Sequence, residues 1–296
     1  MKKLPFTGSG VALITPFNPD GTPNYEKLKE LVEMHVANKT DAIIVCGTTG
    51  EASTLSDPDH LEVIGKCVEY AAGRICIIGG TGSNDTKHAI DFSVAAEKLG
   101  CDGVLCVTPY YNKCTQKGLV AHYTAIADSI NIPVILYNVP SRTGVNIEPA
   151  TYKALMNHEN IIAIKEANGN ISKIVETMSY VHENLDIYSG NDDQIVPIMS
   201  LGGKGVISVV SNLLPKKTVE MCKHALDGNY PQAAKMQYEL HALIDSLFCE
   251  VNPIPVKAAM AKMGYGTDTL RLPLTSMTEA NREKMFKLMR EQGINI

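Results

Sequence analysis

The chain lacks an excess of basic residues: 27 Lys and Arg stand against 32 Asp and Glu, a formal net charge of −5. A nucleic-acid partner, which usually demands a basic face, is therefore not expected, although a local basic pocket for a small acid is still open. The chain also lacks any run approaching the roughly 18 consecutive apolar residues of a membrane helix. Met1-Lys2-Lys3 imitates the start of a signal peptide, but the stretch that follows is broken by Pro5, Gly8, Gly10 and Pro16. A cytosolic protein is the expectation. Among eight cysteines there is no Cys-x-x-Cys pair, and Cys46, Cys76 and Cys106 fall in apolar runs. Buried, reduced thiols are expected, not a metal site or a disulfide framework. What is present is apolar residue, 45% of 296 positions, enough for a large core. That length is generous for one compact domain and ordinary for a barrel with additions.

Short apolar runs recur at Val11-Ile14, Ala42-Cys46, Ile75-Ile78, Gly103-Val107, Val134-Tyr137, Ile161-Ile164, Leu185-Tyr188 and Gly205-Val209. They are rich in Ile and Val and mostly do not alternate, as expected of strands buried on both faces. Between them lie helical patterns, with faces marked by Leu28, Leu31, Val32 and His35, by Ala89, Phe92, Ala96 and Leu99, and by Ile171, Ile174, Val175 and Met178. Asn84 and Asp85 read as caps of the second of these helices. Successive runs start roughly 20 to 33 residues apart, close to a strand–helix module. Eight modules predict an α/β fold, a closed (β/α)8 barrel of the TIM type. An open doubly wound sheet is the rival, disfavoured because no Gly-x-Gly-x-x-Gly follows the first strand. After residues 1–226, assigned to the barrel, Asp227-Gly228-Asn229-Tyr230-Pro231 reads as a turn. Residues 227–296 are expected to form a C-terminal helical region packed on the barrel, with helices at Gln232-Phe248, Ile254-Lys262 and Thr278-Gln292.

In a parallel barrel the carboxyl ends of all strands face one mouth, where active sites sit. The second run leads into Gly47-Thr48-Thr49-Gly50-Glu51 and the fourth into Thr108-Pro109-Tyr110-Tyr111. The fifth ends in Tyr137 and continues as Asn138-Val139-Pro140-Ser141-Arg142-Thr143-Gly144. The sixth ends in Lys165-Glu166, and the seventh leads to Ser189-Gly190-Asn191-Asp192. Lys165 can be a solvated lysine at a strand end. It can equally be a nucleophile, because a partly desolvated amine has a lowered pKa and attacks a ketone. A tyrosine ending the adjacent strand favours the second reading, since iminium formation needs proton transfers that a phenol can relay. Thr48 and Thr49 are either ordinary turn residues or carboxylate binders. Arg142 is either a surface charge or a bidentate clamp on a second carboxylate. Lys257 is the next candidate nucleophile, but it follows Pro253 and Pro255 in the helical region. Gly79-Gly80-Thr81-Gly82 and Gly202-Gly203-Lys204-Gly205 match no P-loop and are expected to be tight turns.

Taken together, Gly47-Thr48-Thr49-Gly50-Glu51, Tyr137 to Gly144 and Ile164-Lys165-Glu166 resemble the signatures of the dihydrodipicolinate synthases, members of a pyruvate-dependent aldolase and lyase superfamily. The similarity runs from Gly8-Ser9-Gly10 through Asn252-Pro253-Ile254-Pro255-Val256-Lys257 to Leu270-Arg271-Leu272-Pro273. The resemblance implies a lyase that condenses pyruvate with aspartate semialdehyde, early in lysine and diaminopimelate synthesis. It implies that Lys165 forms the Schiff base and that Tyr137 moves protons there. Thr48 would link Tyr137 to Tyr111, the latter supplied by a neighbouring subunit. Thr49 would hold the pyruvate carboxylate, Ile207 and Gly190 would line the same pocket, and Arg142 would meet the second substrate. No metal or organic cofactor is implied, because the lysine is the electron sink. A homo-oligomer is, either a dimer or a tetramer built as a dimer of dimers. N-acetylneuraminate lyases and keto-deoxy-sugar-acid aldolases share the fold, lysine and tyrosine. The former usually carry serine where Thr48 stands and lack an arginine matching Arg142. A non-catalytic ligand sensor is disfavoured by the presence of both Lys165 and Tyr137. Lysine-regulated relatives have counterparts of His60, Asn84 and Tyr110, but a glutamate where this chain has His88, and Ala52-Ser53 inverts their Ser-Ala pair.

Overall fold

The structure, a computed structural model, describes residues 4–296; Met1-Lys2-Lys3 lie outside the described residues. Eight parallel strands close into a barrel in sequence order: β1 (Gly8–Ala12), β2 (Ala42–Val45), β3 (Cys76–Gly80), β4 (Gly103–Val107), β5 (Val134–Asn138), β6 (Ile161–Glu166), β7 (Asp186–Ser189) and β8 (Gly205–Ser208). The open-sheet rival is excluded by pairing of β1 with both β2 and β8. The helices between strands are α1 (Tyr25–Ala37), α2 (Asp57–Ala71), α3 (Thr86–Leu99), α4 (Gln116–Asp128), α5 (Pro140–Thr143), α6 (Pro149–Leu155), α7 (Ile171–Val181) and α8 (Ile195–Ser200). After β8 come α9 (Pro215–Leu226), then α10 (Tyr230–Ser246), α11 (Ile254–Lys262) and α12 (Glu279–Glu291) as a C-terminal helical extension. No helix among the described residues is long and apolar enough to cross a membrane.

Local chemistry explains where helices begin. Asn24, Ser56, Asp85, Thr115, Asn170 and Asn229 each accept a backbone N–H of the helix that follows. Proline opens α5, α6 and α9, where its missing N–H is harmless. Of the two residues read as caps of α3, Asp85 caps it, and the Asn84 amide donates instead to the Tyr110 carbonyl.

The strands separate two apolar layers. The inner one fills the barrel and includes Phe6, Ile44, Ile78, Leu105, Tyr137, Tyr188 and Ile207. The outer one lies between strands and helices and includes Val11, Ile43, Val104, Leu136, Ile164 and Val206. Burial on both faces is why the runs do not alternate.

Four details differ from the sequence reading, each for a steric or packing reason. The first strand begins at Gly8, not Val11, because small residues are needed there. A Cβ on Gly10 would come within 2.7 Å of Ile44 Cδ1 and 2.9 Å of Phe6 Cζ. On α3 the buried face uses Ser93 in place of Leu99, which is exposed; the Ser93 hydroxyl donates to the Ala89 carbonyl. On α7 the buried face is Ile174, Thr177, Met178 and Val181, leaving Val175 exposed, one step around the helix from the expected stripe. Gly79 and Gly80 end β3 and are not a turn. Gly80 is there because a Cβ would lie 2.2 Å from the Cys46 carbonyl oxygen. The Gly202 turn is as expected, with φ +94°. The eight cysteines are unpaired; Cys46 and Cys106 are buried, Cys76 is half-buried and Cys249 is exposed.

Gly205 closes the barrel. Its φ is +150°, and a Cβ would sit 1.8 Å from the Gly8 carbonyl oxygen on β1. Gly205→Ala is therefore expected to lower unfolding free energy by about 3–5 kcal/mol in urea titration. Gly228→Ala, at φ +77° with nothing within 4 Å, should lose only about 1–2 kcal/mol, the left-handed backbone penalty alone.

Candidate active site

Register brings the key residues together. Tyr137 on β5 pairs with Lys165 on β6, and Lys165 pairs in turn with Tyr188 on β7. Both Lys165 and Tyr137 are near the carboxyl ends of their strands, and both are buried. The Lys165 ammonium lies 4.2 Å from the centroid of the Tyr137 ring. Burial lowers the Lys165 pKa to about 7, opposed by the Asp192 carboxylate and assisted by the Arg142 guanidinium. A large fraction of the amine is thus unprotonated near neutrality, as a nucleophile requires.

Burial pushes the Tyr137 phenol up, while Arg142 and a hydrogen bond with the Thr48 side chain pull it down. The phenol stays protonated at neutral pH and can hand a proton on through Thr48. Thr49 is buried, and its Oγ1 accepts from Asn252 Nδ2 at 3.0 Å, leaving its own hydroxyl proton free to donate. The main chain of Asn252 is also used: its carbonyl accepts from Arg142 Nη2 at 3.2 Å. Arg142 is exposed at the mouth. Ile207 on β8 belongs to the inner apolar layer. Gly190 packs on the end of β6, with its N–H donating to the Glu166 carbonyl at 2.8 Å and no room for a Cβ beside Ala167.

A cavity of about 430 Å³ opens at this mouth. Thr48, Tyr137, Val139 and Arg142 line it, as do Asp57, His60, Ser83 and His88. Lys165 stands beside Tyr137 in register on the next strand. Tyr111 is not gathered with the others: it is 92% exposed and has a left-handed φ of +68°. Its neighbour Tyr110 lines the cavity instead.

Three residues without an assignment from sequence take part in the site. Asp192 is buried; its Oδ2 accepts the Val209 and Val210 amides at 3.0 and 2.8 Å, and its Oδ1 has no partner. Its position just past β7 was a signal that topology alone supplies. Asn138 and Glu166, the residues following Tyr137 and Lys165, hydrogen-bond each other across β5 and β6 at 3.0 Å. That contact pins the register behind the lysine and tyrosine. Glu166 is pushed up to about 7 by burial, against hydrogen bonds from Asn138, Asn168 and Tyr152.

The sequence from residue 5 to residue 292 matches the model of the dihydrodipicolinate synthetase family. The chain belongs to this family. A 4-hydroxy-tetrahydrodipicolinate synthase from Caldicellulosiruptor saccharolyticus is 55% identical over 291 residues, 98% of each chain. Among solved structures, the chloride-inhibited dihydrodipicolinate synthase of Acinetobacter baumannii complexed with pyruvate superposes with a TM-score of 0.96 at 43% identity, covering 98% of this chain and 99% of that one. The enzyme from Cyanidioschyzon merolae with lysine bound superposes with a TM-score of 0.95 at 37% identity, covering 99% and 100%. These likenesses favour a synthase over the sugar-acid lyases.

The charge environment yields a pH test. The Lys165 amine is freed as pH rises through about 7. Borohydride trapping of pyruvate should therefore speed up across that range. Asp192→Asn removes the carboxylate that raises the lysine pKa, so the midpoint should move to lower pH. An unchanged or higher midpoint would exclude Asp192 as the lysine's electrostatic partner.

Proposed function

We propose that this chain condenses pyruvate with L-aspartate 4-semialdehyde to give 4-hydroxy-tetrahydrodipicolinate and water, a step of lysine and diaminopimelate synthesis. The observation that carries the reading is the buried Lys165, with its pKa lowered to about 7, stacked beside Tyr137 at the mouth of the barrel. The family membership supports the choice of substrates.

In this reading the neutral Lys165 amine attacks C2 of pyruvate. The resulting carbinolamine loses water, with Tyr137 supplying the proton to the departing oxygen, and leaves an iminium. The iminium withdraws electrons as C3 loses a proton to the Tyr137 phenolate, forming an enamine and restoring the phenol. The enamine carbon attacks the aldehyde carbon, and the aldehyde oxygen takes up a proton through the Tyr137–Thr48 relay. Finally the amino group of the second substrate attacks the iminium carbon, closes the ring and expels Lys165. The lysine is the electron sink throughout, so the reading assigns no cofactor. Thr49 and the adjacent amides hold the pyruvate carboxylate, with Ile207 and Gly190 lining the pocket. Arg142, exposed at the mouth, meets the carboxylate of the semialdehyde.

The relay is completed by Tyr111 of a second copy. A tyrosine this exposed, on a left-handed backbone, suits donation across an interface. The assembly is then at least a dimer, and a tetramer would be two such dimers. A cytoplasmic location accompanies this reading.

The test is a coupled assay with pyruvate and aspartate semialdehyde, together with peptide mapping after borohydride reduction. Wild type should turn over and carry the pyruvyl label on Lys165, and Lys165→Ala should do neither. Full labelling of Lys165→Ala would overturn the assignment. Arg142→Ala should raise KM for the semialdehyde by about 10–150-fold, the equivalent of ~1.5–3 kcal/mol for a charge-assisted contact, and change KM for pyruvate little. Equal effects on both would remove Arg142 from the second-substrate site.

Inhibition by lysine should be weak or absent. A site that desolvates the ligand's ammonium must supply negative charge. Of the acids that could stand in for the missing glutamate, Asp57 lines the cavity, whereas Asp85 is spent capping α3. Both Asp57 oxygens, however, lie 3.3 Å from His88 Nε2. His88→Glu should gain partial inhibition in a lysine titration at saturating pyruvate. Strong inhibition of wild type at micromolar lysine would contradict this account.

A further inference from the structure

The loop from Gly47 to Glu51 carries Thr48 and Thr49, and it is bounded by two non-glycine residues with left-handed backbone, Cys46 at φ 53° and Glu51 at φ 55°. Such backbone persists only where the surroundings over-determine it. At Glu51 the surroundings come from the C-terminal extension. Lys257 Nζ on α11 lies 2.6 Å from Glu51 Oε1, and the Arg271 amide donates to Oε2 at 3.0 Å. The two charged side chains are 0% and 1% exposed, and the lysine ammonium faces the Phe17 ring at 3.9 Å. The Arg271 guanidinium is held nearby by Gly21, Thr54 and Asp59. Asn252, just before α11, donates to Thr49 itself. Three points of the extension thus hold one five-residue loop.

A buried ion pair is a poor source of net stability, because desolvation offsets most of the attraction and neutral replacements of both partners are often tolerated. What such a pair does supply is a fixed distance between the elements that carry it. Lys257 is not a second nucleophile, since its ammonium is engaged by the Glu51 carboxylate at 2.6 Å.

We propose that Glu51 and Lys257 are positioning residues: their buried pair locks the threonine loop against the barrel mouth, so that the C-terminal extension sets the geometry of the Thr48–Tyr137 relay. This rests on the reaction proposed above. A loop shifted by about 1 Å would impair proton transfer strongly while leaving Lys165 able to meet pyruvate.

Two variants test it, Glu51→Gln and the double replacement Glu51→Gln with Lys257→Met. The first keeps an acceptor for the Arg271 amide, and the second removes both charges while keeping side-chain length. For the double replacement we expect melting within about 5 °C of wild type, and for Glu51→Gln, which leaves the buried Lys257 ammonium without its partner, a lower melting temperature. For both we expect kcat per folded molecule lower by about 10–100-fold, a higher KM for pyruvate, and borohydride labelling of Lys165 retained. Wild-type kcat and KM in a variant that melts like wild type would overturn the proposal. So would a lowered melting temperature with kcat per folded molecule intact, which is the signature of a merely structural pair. Wild type measured alongside separates this from the proposed reaction. If wild type itself were silent, the crystal structure of the double variant would still decide whether the Thr48 hydroxyl has left hydrogen-bond reach of the Tyr137 phenol.

Discussion

Removing the Lys165 amine from water is the constraint on which the rest of the site depends. A protonated lysine cannot attack a ketone, and a lysine in water is protonated at neutral pH. The barrel solves this by placing Lys165 near the end of a strand whose neighbours in register are two tyrosines. Their rings exclude water without supplying a full negative charge that would restore the proton. Asp192 opposes the effect, and its carboxylate is itself tied to two backbone amides of the segment after β8. The balance leaves the lysine with a pKa of about 7, and in the proposed reaction Asp192 would be the counter-charge of the iminium.

The same burial sets the character of Tyr137. A phenol with a raised pKa stays protonated and is a weak acid by itself, so in the proposed reaction it needs a neighbour that can take or return the proton, and Thr48 hydrogen-bonds it. The position of Thr48 is in turn a property of a loop that β2 delivers and the C-terminal extension holds. The extension also reaches the far side of the mouth, where Gln237 on α10 donates to the Asp192 carbonyl at 2.8 Å. Helices that look peripheral in the chain therefore act on both groups flanking the lysine.

Much of this was legible in the sequence because a parallel barrel turns chain order into spatial order. Lys165, Tyr137, Thr48 and Arg142 could be gathered at one mouth from strand ends alone, and the helices of the extension were placed to within two residues. The first strand was misplaced because Gly8, Ser9 and Gly10 carry no hydrophobic signal, although sterics inside the barrel require small residues there. The partners Glu51 and Lys257 stand 206 positions apart, as do, by nearly as much, Thr49 and Asn252, and no local pattern joins them. Asp192 was visible at a strand end but had no chemistry attached until its buried, half-satisfied carboxylate was seen. Tyr111 is exposed and does not line its own chain's cavity, so the part proposed for it can be read only in an assembly.

The central claim is that burial, not a special partner, makes Lys165 a nucleophile. It is tested most directly by following the Cε resonance of Lys165 by NMR in the free protein, assigned by comparison with Lys165→Ala. A titration midpoint near 7 is the result this account predicts. A midpoint near the ordinary lysine value, about 10.4, would contradict it.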